Sequence, residues 1–187
     1  IGDLQGLLQK LDYLNDGDPT GGQDLGVTAL WLMPVAAAAS YHGYDVTDYT
    51  RVNPDYGTND DFRALVDEAH RRGMRIIVDM VLNHTSDQHP WFVDSASDPG
   101  AERREWYVWA EGEPAPADKW HERNGAYYYG YFWGGMPDLN LENPEVTAAL
   151  YDVARFWIED MDVDGFRLDA ARHYVEEGTT LMHTDAT

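Results

Sequence analysis

The chain has 187 residues, of which 43% are hydrophobic and 13% aromatic, so it can form a packed core and is not expected to be disordered. It carries 34 acidic against 13 basic residues, a formal net charge of −21, and such a surface repels phosphate backbones and argues against nucleic acid as a partner. It has no cysteine, which excludes disulfides and thiolate metal sites, and no apolar run of membrane-spanning length.

The N-terminal region is predicted to be helical. Asp3 can cap a helix that runs to about Asn15, because the leucines between positions 4 and 14 share one face. The chain opens on Ile1 without a basic segment followed by an apolar one, so no signal peptide is recognisable. The absence of an initiator Met indicates a non-native start.

Two strands with a helix between them follow. Residues 27–34 form a short apolar run that is typical of a buried strand, and residues 74–82 are rich in branched side chains. The helix between them is predicted to begin at Asn59 or Asp60 and to end at Gly73. A strand, a helix and a strand in succession predict a βαβ unit and a parallel sheet.

Residues 85–140 break this alternation, because they are rich in aromatic residues, Pro and Gly and have little periodicity. A helix beginning at Asn143 or Pro144 and a strand at 163–168 then resume it. The alternation favours a (β/α)8 barrel or a doubly wound sheet. Three strands cannot close a barrel, which typically needs about 250 residues, so the chain is predicted to be part of a larger protein.

The strand at 163–168 is followed by a carboxylate. Arg167 and Asp169 are two residues apart, so on an extended strand they face the same side, and the positive charge favours the ionised form of Asp169. An ionised carboxylate at the C-terminal end of a strand suits a nucleophile or an electrostatic stabiliser. An ion pair without chemistry is the alternative reading of these two residues.

A second polar cluster occupies residues 79–84. Asp79 interrupts an apolar strand, and because a buried carboxylate is costly without a partner, Arg167 on a neighbouring strand is the predicted partner. Asn83 and His84 fall where the strand becomes a loop, which is the functional face of a barrel. Taken alone, His84 is more typical of a structural histidine.

Two further clusters lie in predicted loops. Residues 41–56 are expected to form a long ordered loop, in which Tyr41 to Asp45 combine aromatic rings with a carboxylate. Such a combination suits stacking on a sugar face and hydrogen bonding to its hydroxyls, or plain packing. In residues 136–140, Asp138 is, like Asn83, an oxygen ligand of the kind that calcium takes.

These segments, in this order, resemble the α-amylase family, glycoside hydrolase family 13. Asp79 to His84 is similar to its first conserved region, Gly165 to His173 to its second, and Met136 to Asn140 to the motif near the end of its inserted domain B. Residues 27–34 resemble its second barrel strand. The MPDLN form of the domain B motif resembles the neopullulanase and intermediary subgroups, which often act on both α-1,4 and α-1,6 links.

The resemblance implies an α/β fold that comprises about strands 2–4 of a (β/α)8 TIM barrel, with an irregular domain B inserted after the third strand. Residues 1–84 would form the N-terminal part of the catalytic barrel, domain A. Residues 85–140 would form domain B. Residues 141–187 would continue the barrel through its fourth strand.

The resemblance also implies roles for single residues. Asp169 matches the catalytic nucleophile, and Arg167 matches the arginine that orients and charges it. Tyr44 matches the aromatic platform under the sugar at the cleaved position. His84 matches a histidine that binds the hydroxyls of that sugar, and Asp79 matches a carboxylate that supports this pocket.

A structural calcium ion is implied for the calcium-dependent members of the family. Asn83 and Asp138 match its ligands. His173 matches a residue near the leaving-group side whose carbonyl often reaches the ion.

The expected activity is retaining hydrolysis of an α-glucan such as starch, or of a malto-oligosaccharide, through a covalent glycosyl-enzyme on Asp169. The family's acid/base glutamate follows the fifth strand, so this chain is expected to lack it and to be inactive alone. A glucosyltransferase or trehalose-synthase-like member and a non-catalytic sugar-binding barrel are the alternatives. Extracellular or periplasmic residence is expected from a polymeric substrate, with the cytoplasm as the alternative, and no membrane partner is expected.

Overall fold

The structure is a computed structural model that describes residues 2–110, 112, 114, 117–177 and 182–183. The α-helices are α1 (Leu4–Leu8), α2 (Leu11–Leu14), α3 (Asn59–Arg71), α4 (Pro90–Ser95) and α5 (Pro144–Arg155). The strands are β1 (Ala29–Leu32), β2 (Ala36–Ala38), β3 (Val46–Val52), β4 (Arg75–Met80), β5 (Trp109–Ala110), β6 (Trp120–Arg123), β7 (Ala126–Tyr129), β8 (Gly165–Leu168), β9 (Glu176–Glu177) and β10 (Met182–His183). Across these ranges, none of the helices combines the length and the apolar character needed to span a bilayer.

The chain forms two compact units. The first unit comprises residues 1–37, 49–80 and 153–167, and the second unit comprises residues 38–48, 81–152 and 168–187. The segment predicted as domain B, 85–140, lies wholly in the second unit. The end of the predicted third segment, at 178–181 and 184–187, lies outside the described residues.

The first unit contains a three-stranded sheet in the order β1, β4, β8. Strands β1 and β4 are parallel, with Leu30 opposite Ile76. Helix α3 lies between these two strands in the chain. The predicted βαβ unit is therefore confirmed. Helix α3 begins at Asn59 as predicted, and its apolar face, Phe62, Leu65, Val66 and Ala69, is at most 1% exposed.

The beginning of the chain differs from the prediction. The single helix expected from Asp3 to about Asn15 is two short helices, α1 and α2, separated by Gln9 and Lys10. The predicted cap is confirmed, because the Gly6 amide donates to the Asp3 carboxylate at 2.6 Å. The predicted burial of β1 is wrong, since Trp31 is 56% exposed and none of the four strand residues is buried.

The stretch 41–56, expected to be a loop, contains the seven-residue strand β3. This strand pairs with β2 in a two-stranded sheet. The residues of β3 that are buried are Val46, Tyr49 and Val52, three positions apart. The two-residue alternation that usually marks a strand is therefore absent from its sequence.

The second unit contains a more regular insertion than the sequence suggested. Strands β5, β7 and β6 form an antiparallel sheet in that order. The ring of Phe92, on α4, lies 4.8 Å from that of Tyr128 and 5.0 Å from that of Tyr107, measured between centroids. These aromatic contacts form a small core without requiring any apolar periodicity in the sequence.

The last predicted helix and strand are confirmed. Helix α5 begins at Pro144, continues as a π-helical turn at Phe156–Asp160, and is followed by β8. Five apolar residues between positions 146 and 161 are buried, and Phe156 is partly exposed. The buried ones are Val146, Leu150, Val153, Trp157 and Met161.

Candidate active site

In the first unit, an ion pair joins the ends of two neighbouring strands. The Asp79 side chain, on β4, is fully buried, and Arg167 Nη1, on β8, donates to its two carboxylate oxygens at 3.0 and 3.2 Å. The guanidinium carbon of Arg167 also lies 5.4 Å from the centroid of the Trp31 ring. The partner predicted for Asp79 is therefore confirmed.

Asp169 follows directly on the end of β8. It precedes Ala170, whose φ of 50° and ψ of 26° place it in the left-handed region, and the 3-10 turn Ala171–His173. The backbone therefore turns sharply just after Asp169, and the side chain is partly exposed. Arg167 belongs to the first unit and Asp169 to the second, so the expected placement of the guanidinium beside this carboxylate stays a prediction.

In the second unit, His84 is 0% exposed. Burial lowers the pKa of its imidazole to about 3, and a hydrogen bond with the Tyr44 backbone opposes this shift only in part. The ring is therefore neutral at physiological pH, and its Nδ1 lies 3.4 Å from Asn83 Nδ2. Because the ring has no exposed surface, a sugar could reach it only if a neighbouring side chain moved, and its predicted role stays a prediction.

The loop that carries Tyr44 is stabilised from within. The Tyr44 amide donates to His42 Nδ1 at 3.1 Å, and the two rings are stacked with centroids 6.0 Å apart. Asp45 is 3% exposed and accepts hydrogen bonds from the Ser40 amide at 3.1 Å and the Ser40 hydroxyl at 2.7 Å. The carboxylate of this cluster therefore stabilises the loop and does not face a sugar, whereas Tyr44 is partly exposed.

The predicted calcium ligands contact one another. Asn83 Nδ2 donates to Asp138 Oδ2 at 3.0 Å, and the Tyr131 amide donates to Asp138 Oδ1 at 3.1 Å. Asp138 and His173 line one cavity, and the His173 ring lies 4.1 Å from the Tyr131 ring between centroids.

Calcium binding by these residues stays a prediction. Both oxygens of Asp138 already accept protein hydrogen bonds, and calcium takes six to eight oxygen ligands. Over the ranges that the structure describes, no three acidic or histidine side chains are grouped so as to hold a metal.

Two aromatic residues that the sequence did not single out join this site. Phe132 lies edge-on to His84 at 5.1 Å and to His173 at 5.8 Å, and Tyr131 packs on His173. They lie a few residues before the 136–140 motif. Their position between the 136–140 motif and the aromatic strand β7 was the available signal.

Known proteins provide an independent comparison. Residues 1–185 match the family model described as "Alpha amylase, catalytic domain". The chain belongs to the α-amylase family. Its similarity to family members of known structure makes its three-stranded sheet part of a (β/α)8 barrel.

Relatives within this family are similar over almost the whole chain. Alpha-amylase 3 of Dictyoglomus thermophilum is 48% identical over 178 residues, which are 95% of this chain and 34% of that protein. Trehalose synthase of Pimelobacter sp. is 42% identical over 193 residues, covering 96% of this chain and 32% of that protein. The crystal structure of the α-amylase from H. orenii is 52% identical, with a TM-score of 0.87, and the match covers 93% of this chain and 37% of that one. The chain thus spans about a third of the length of these relatives.

Proposed function

We propose that the chain carries the nucleophile half of a retaining α-glucan glycoside hydrolase, with α-1,4 and also α-1,6 glucosidic bonds as substrates. Asp169 attacks the anomeric carbon while a second carboxylic acid, about 5–5.5 Å away, protonates the leaving oxygen. That acid is a glutamate that the resemblance to the family assigns to a later strand. Water then releases the sugar from Asp169.

The Asp79–Arg167 pair is the observation that carries this proposal. A buried carboxylate that accepts from Arg167 at 3.0 and 3.2 Å fixes a guanidinium at the end of β8, two residues before the proposed nucleophile. The resemblance to the family assigns to this arginine the role of orienting the nucleophile, and its position in the chain supports that assignment. The match to the α-amylase family model supports the same assignment.

Turnover of soluble starch, maltotetraose and panose by the full-length enzyme tests this proposal. We expect Asp169→Asn to lower kcat by about 10³-fold or more, because the covalent intermediate cannot form. Asp67→Asn, at an exposed position on α3, is the matched control and should leave kcat unchanged. Equal activity of the two variants would show that Asp169 is not the nucleophile. The isolated chain should show no turnover.

A transferase is the second candidate, because trehalose synthase of Pimelobacter sp. is 42% identical to this chain. Both activities share the glycosyl-enzyme, and they differ in whether water or a sugar hydroxyl attacks it. Chromatography of the products from maltose separates the two, since hydrolysis gives glucose alone and transfer gives a new disaccharide. Sugar binding without any turnover by the full-length protein would favour a non-catalytic barrel.

We further propose that Asn83 and Asp138 act as a hydrogen-bonded clasp within the second unit instead of as calcium ligands. This proposal is motivated by the burial of Asp138, which is 4% exposed, and by the two hydrogen bonds that its carboxylate already accepts. In this role the pair holds the 136–140 motif against the segment after β4.

A further inference from the structure

Trp133 is an exposed aromatic residue in a loop whose backbone is otherwise tightly held. It is 54% exposed, and it lies within the segment 130–136, which we call the glycine loop. A Cβ built on Gly135 would overlap the six-membered part of the Trp133 ring, so the indole lies directly on the glycine backbone. One face of the ring is thus covered and the ring remains half exposed.

Hydrogen bonds fix the shape of the glycine loop. The Met136 amide donates to the Trp133 carbonyl at 2.9 Å, and the Tyr128 hydroxyl donates to the Gly134 carbonyl at 2.5 Å. The Asp87 amide donates to the Gly135 carbonyl at 3.1 Å, which ties the loop to the segment that follows β4. Because these contacts hold the loop, the Trp133 ring is presented with little conformational freedom to lose on binding.

Phe132, the neighbour of Trp133 in the chain, indicates which ligand the exposed face of the indole could contact. The Phe132 ring lies 5.1 Å from that of His84, whose predicted role is to bind the sugar at the cleaved position. Trp133 directly follows Phe132 in the glycine loop. A single exposed aromatic residue is ordinary on a protein surface, but this one is held by its own backbone beside the proposed sugar site.

We propose that Trp133 is a stacking platform for a glucose unit of the substrate other than the one that is cleaved, and so determines chain-length preference. The apolar C–H face of a pyranose ring matches an indole face, and aromatic contacts contribute specificity beyond the area that they bury. This inference rests on the proposed α-glucan activity and adds a second sugar contact to it.

The ratio of kcat/KM for maltoheptaose to kcat/KM for maltose, measured on the full-length enzyme, tests the proposal. We expect Trp133→Ala to lower this ratio about 3- to 10-fold while activity on maltose changes little, and Trp133→Tyr to retain most of the ratio. Gly135→Ala keeps the indole but displaces it, so it should lower the ratio in the same direction. Tyr151→Ala, which removes a 67% exposed aromatic ring on α5, is the matched control and should leave the ratio unchanged.

The outcomes separate this inference from the proposed function. Turnover of both sugars with the same ratio in wild type and Trp133→Ala would overturn the platform and leave the glycosidase intact. A fall in the ratio for Trp133→Tyr as large as that for Trp133→Ala would also overturn it, since a second stacking ring should substitute. If the wild-type enzyme cleaves neither sugar, the proposed function itself fails. Thermal melting of each variant reports whether it folds.

Discussion

At the scale of single residues, the Asp79–Arg167 pair shows how an apolar strand tolerates a charge. The Asp79 side chain is 0% exposed whereas that of Arg167 is 40% exposed, so the pair joins the interior to the surface at the ends of β4 and β8. Desolvating a carboxylate is costly, and the two hydrogen bonds from one guanidinium nitrogen offset that cost.

Removal of Arg167 should therefore destabilise the protein. We expect Arg167→Met to lower the free energy of unfolding by about 1–3 kcal/mol, because Asp79 is left buried with two hydrogen bonds fewer. Urea denaturation measures this. Arg71→Met is the control, since Arg71 pairs with Glu68 while 70% exposed and should cost about 0.5 kcal/mol or less. Equal losses in the two variants would contradict the argument.

The same residues show what sequence can predict about a site. A carboxylate inside an apolar strand requires a partner, so the Asp79–Arg167 pair follows from the sequence of two strands. The engagement of Asp45 by Ser40 and the burial of His84 do not, because they depend on how loops fold over them. Phe132 was missed for that reason: its contact with His84 joins positions 48 residues apart in the chain, from 84 to 132.

At the scale of elements, α3 was predictable and β3 was not. Helix α3 has a cap, a periodic apolar face and a terminal glycine, all of them local signals. In β3 the buried residues are three apart and the strand is short of apolar side chains, so its pairing with β2 determines its structure. Aromatic contacts between α4 and strands β5 and β7 likewise organise the insertion without periodicity.

The cap of α3 gives a prediction for this element. Thr58 accepts a hydrogen bond from the Asp61 amide at 3.1 Å, and the Asp61 carboxylate accepts one from the Thr58 amide at 2.8 Å. We expect Thr58→Ala to lower the free energy of unfolding by about 1 kcal/mol, and Thr58→Ser to lower it much less because the hydroxyl is kept. Denaturation midpoints in urea decide between them. If Thr58→Ser lowered the free energy of unfolding as much as Thr58→Ala, loss of the hydroxyl would not explain the destabilisation.

The cap of α4 predicts a pH dependence. The Trp91 amide donates to His89 Nδ1 at 3.1 Å, and burial lowers the pKa of His89 from 6.5 to about 4. Above pH 6.5 the imidazole is neutral in both the folded and the unfolded chain and contributes no pH dependence. Between pH 6.5 and about 4 only the unfolded chain binds the proton, so stability falls as the pH falls.

Replacing His89 isolates this effect. His89→Asn keeps a capping acceptor but does not titrate, so its free energy of unfolding should fall less steeply below pH 6.5, by up to about 1.4 kcal/mol per pH unit. Urea denaturation of the two proteins at several pH values between 4.5 and 8 measures the difference. Parallel pH curves would show that His89 titrates normally in the folded protein.

At the scale of the whole molecule, the polar residues of the proposed site come from segments far apart in the chain. Four motifs in a fixed order along the chain, each similar to a segment of the family, were enough to indicate the family. The formal charge of −21 is a property of the whole surface and shows nothing about where a cation would bind. The predicted calcium site has to be judged from the atoms around Asp138 and not from the net charge.

Chelation tests the clasp between Asn83 and Asp138. If the pair works without an ion, the thermal midpoint of the full-length enzyme should be the same, within about 2 °C, in EDTA and in millimolar calcium. Asp138→Asn should lower the midpoint equally in both conditions, because it weakens hydrogen bonds to Asn83 and Tyr131. A rise of the midpoint in calcium that disappears in Asp138→Asn would show that these residues bind the ion.

The conformation of Ala170 has a consequence for the reaction itself. An L-residue with a Cβ in the left-handed region costs about 1 kcal/mol more than glycine would, yet it also has far fewer backbone alternatives than glycine. The backbone after the proposed nucleophile is thus restricted. In the proposed reaction, this restriction helps to set the position of the attacking oxygen before a sugar binds. Part of the ordering of the nucleophile in that reaction would then be achieved during folding and not in each turnover.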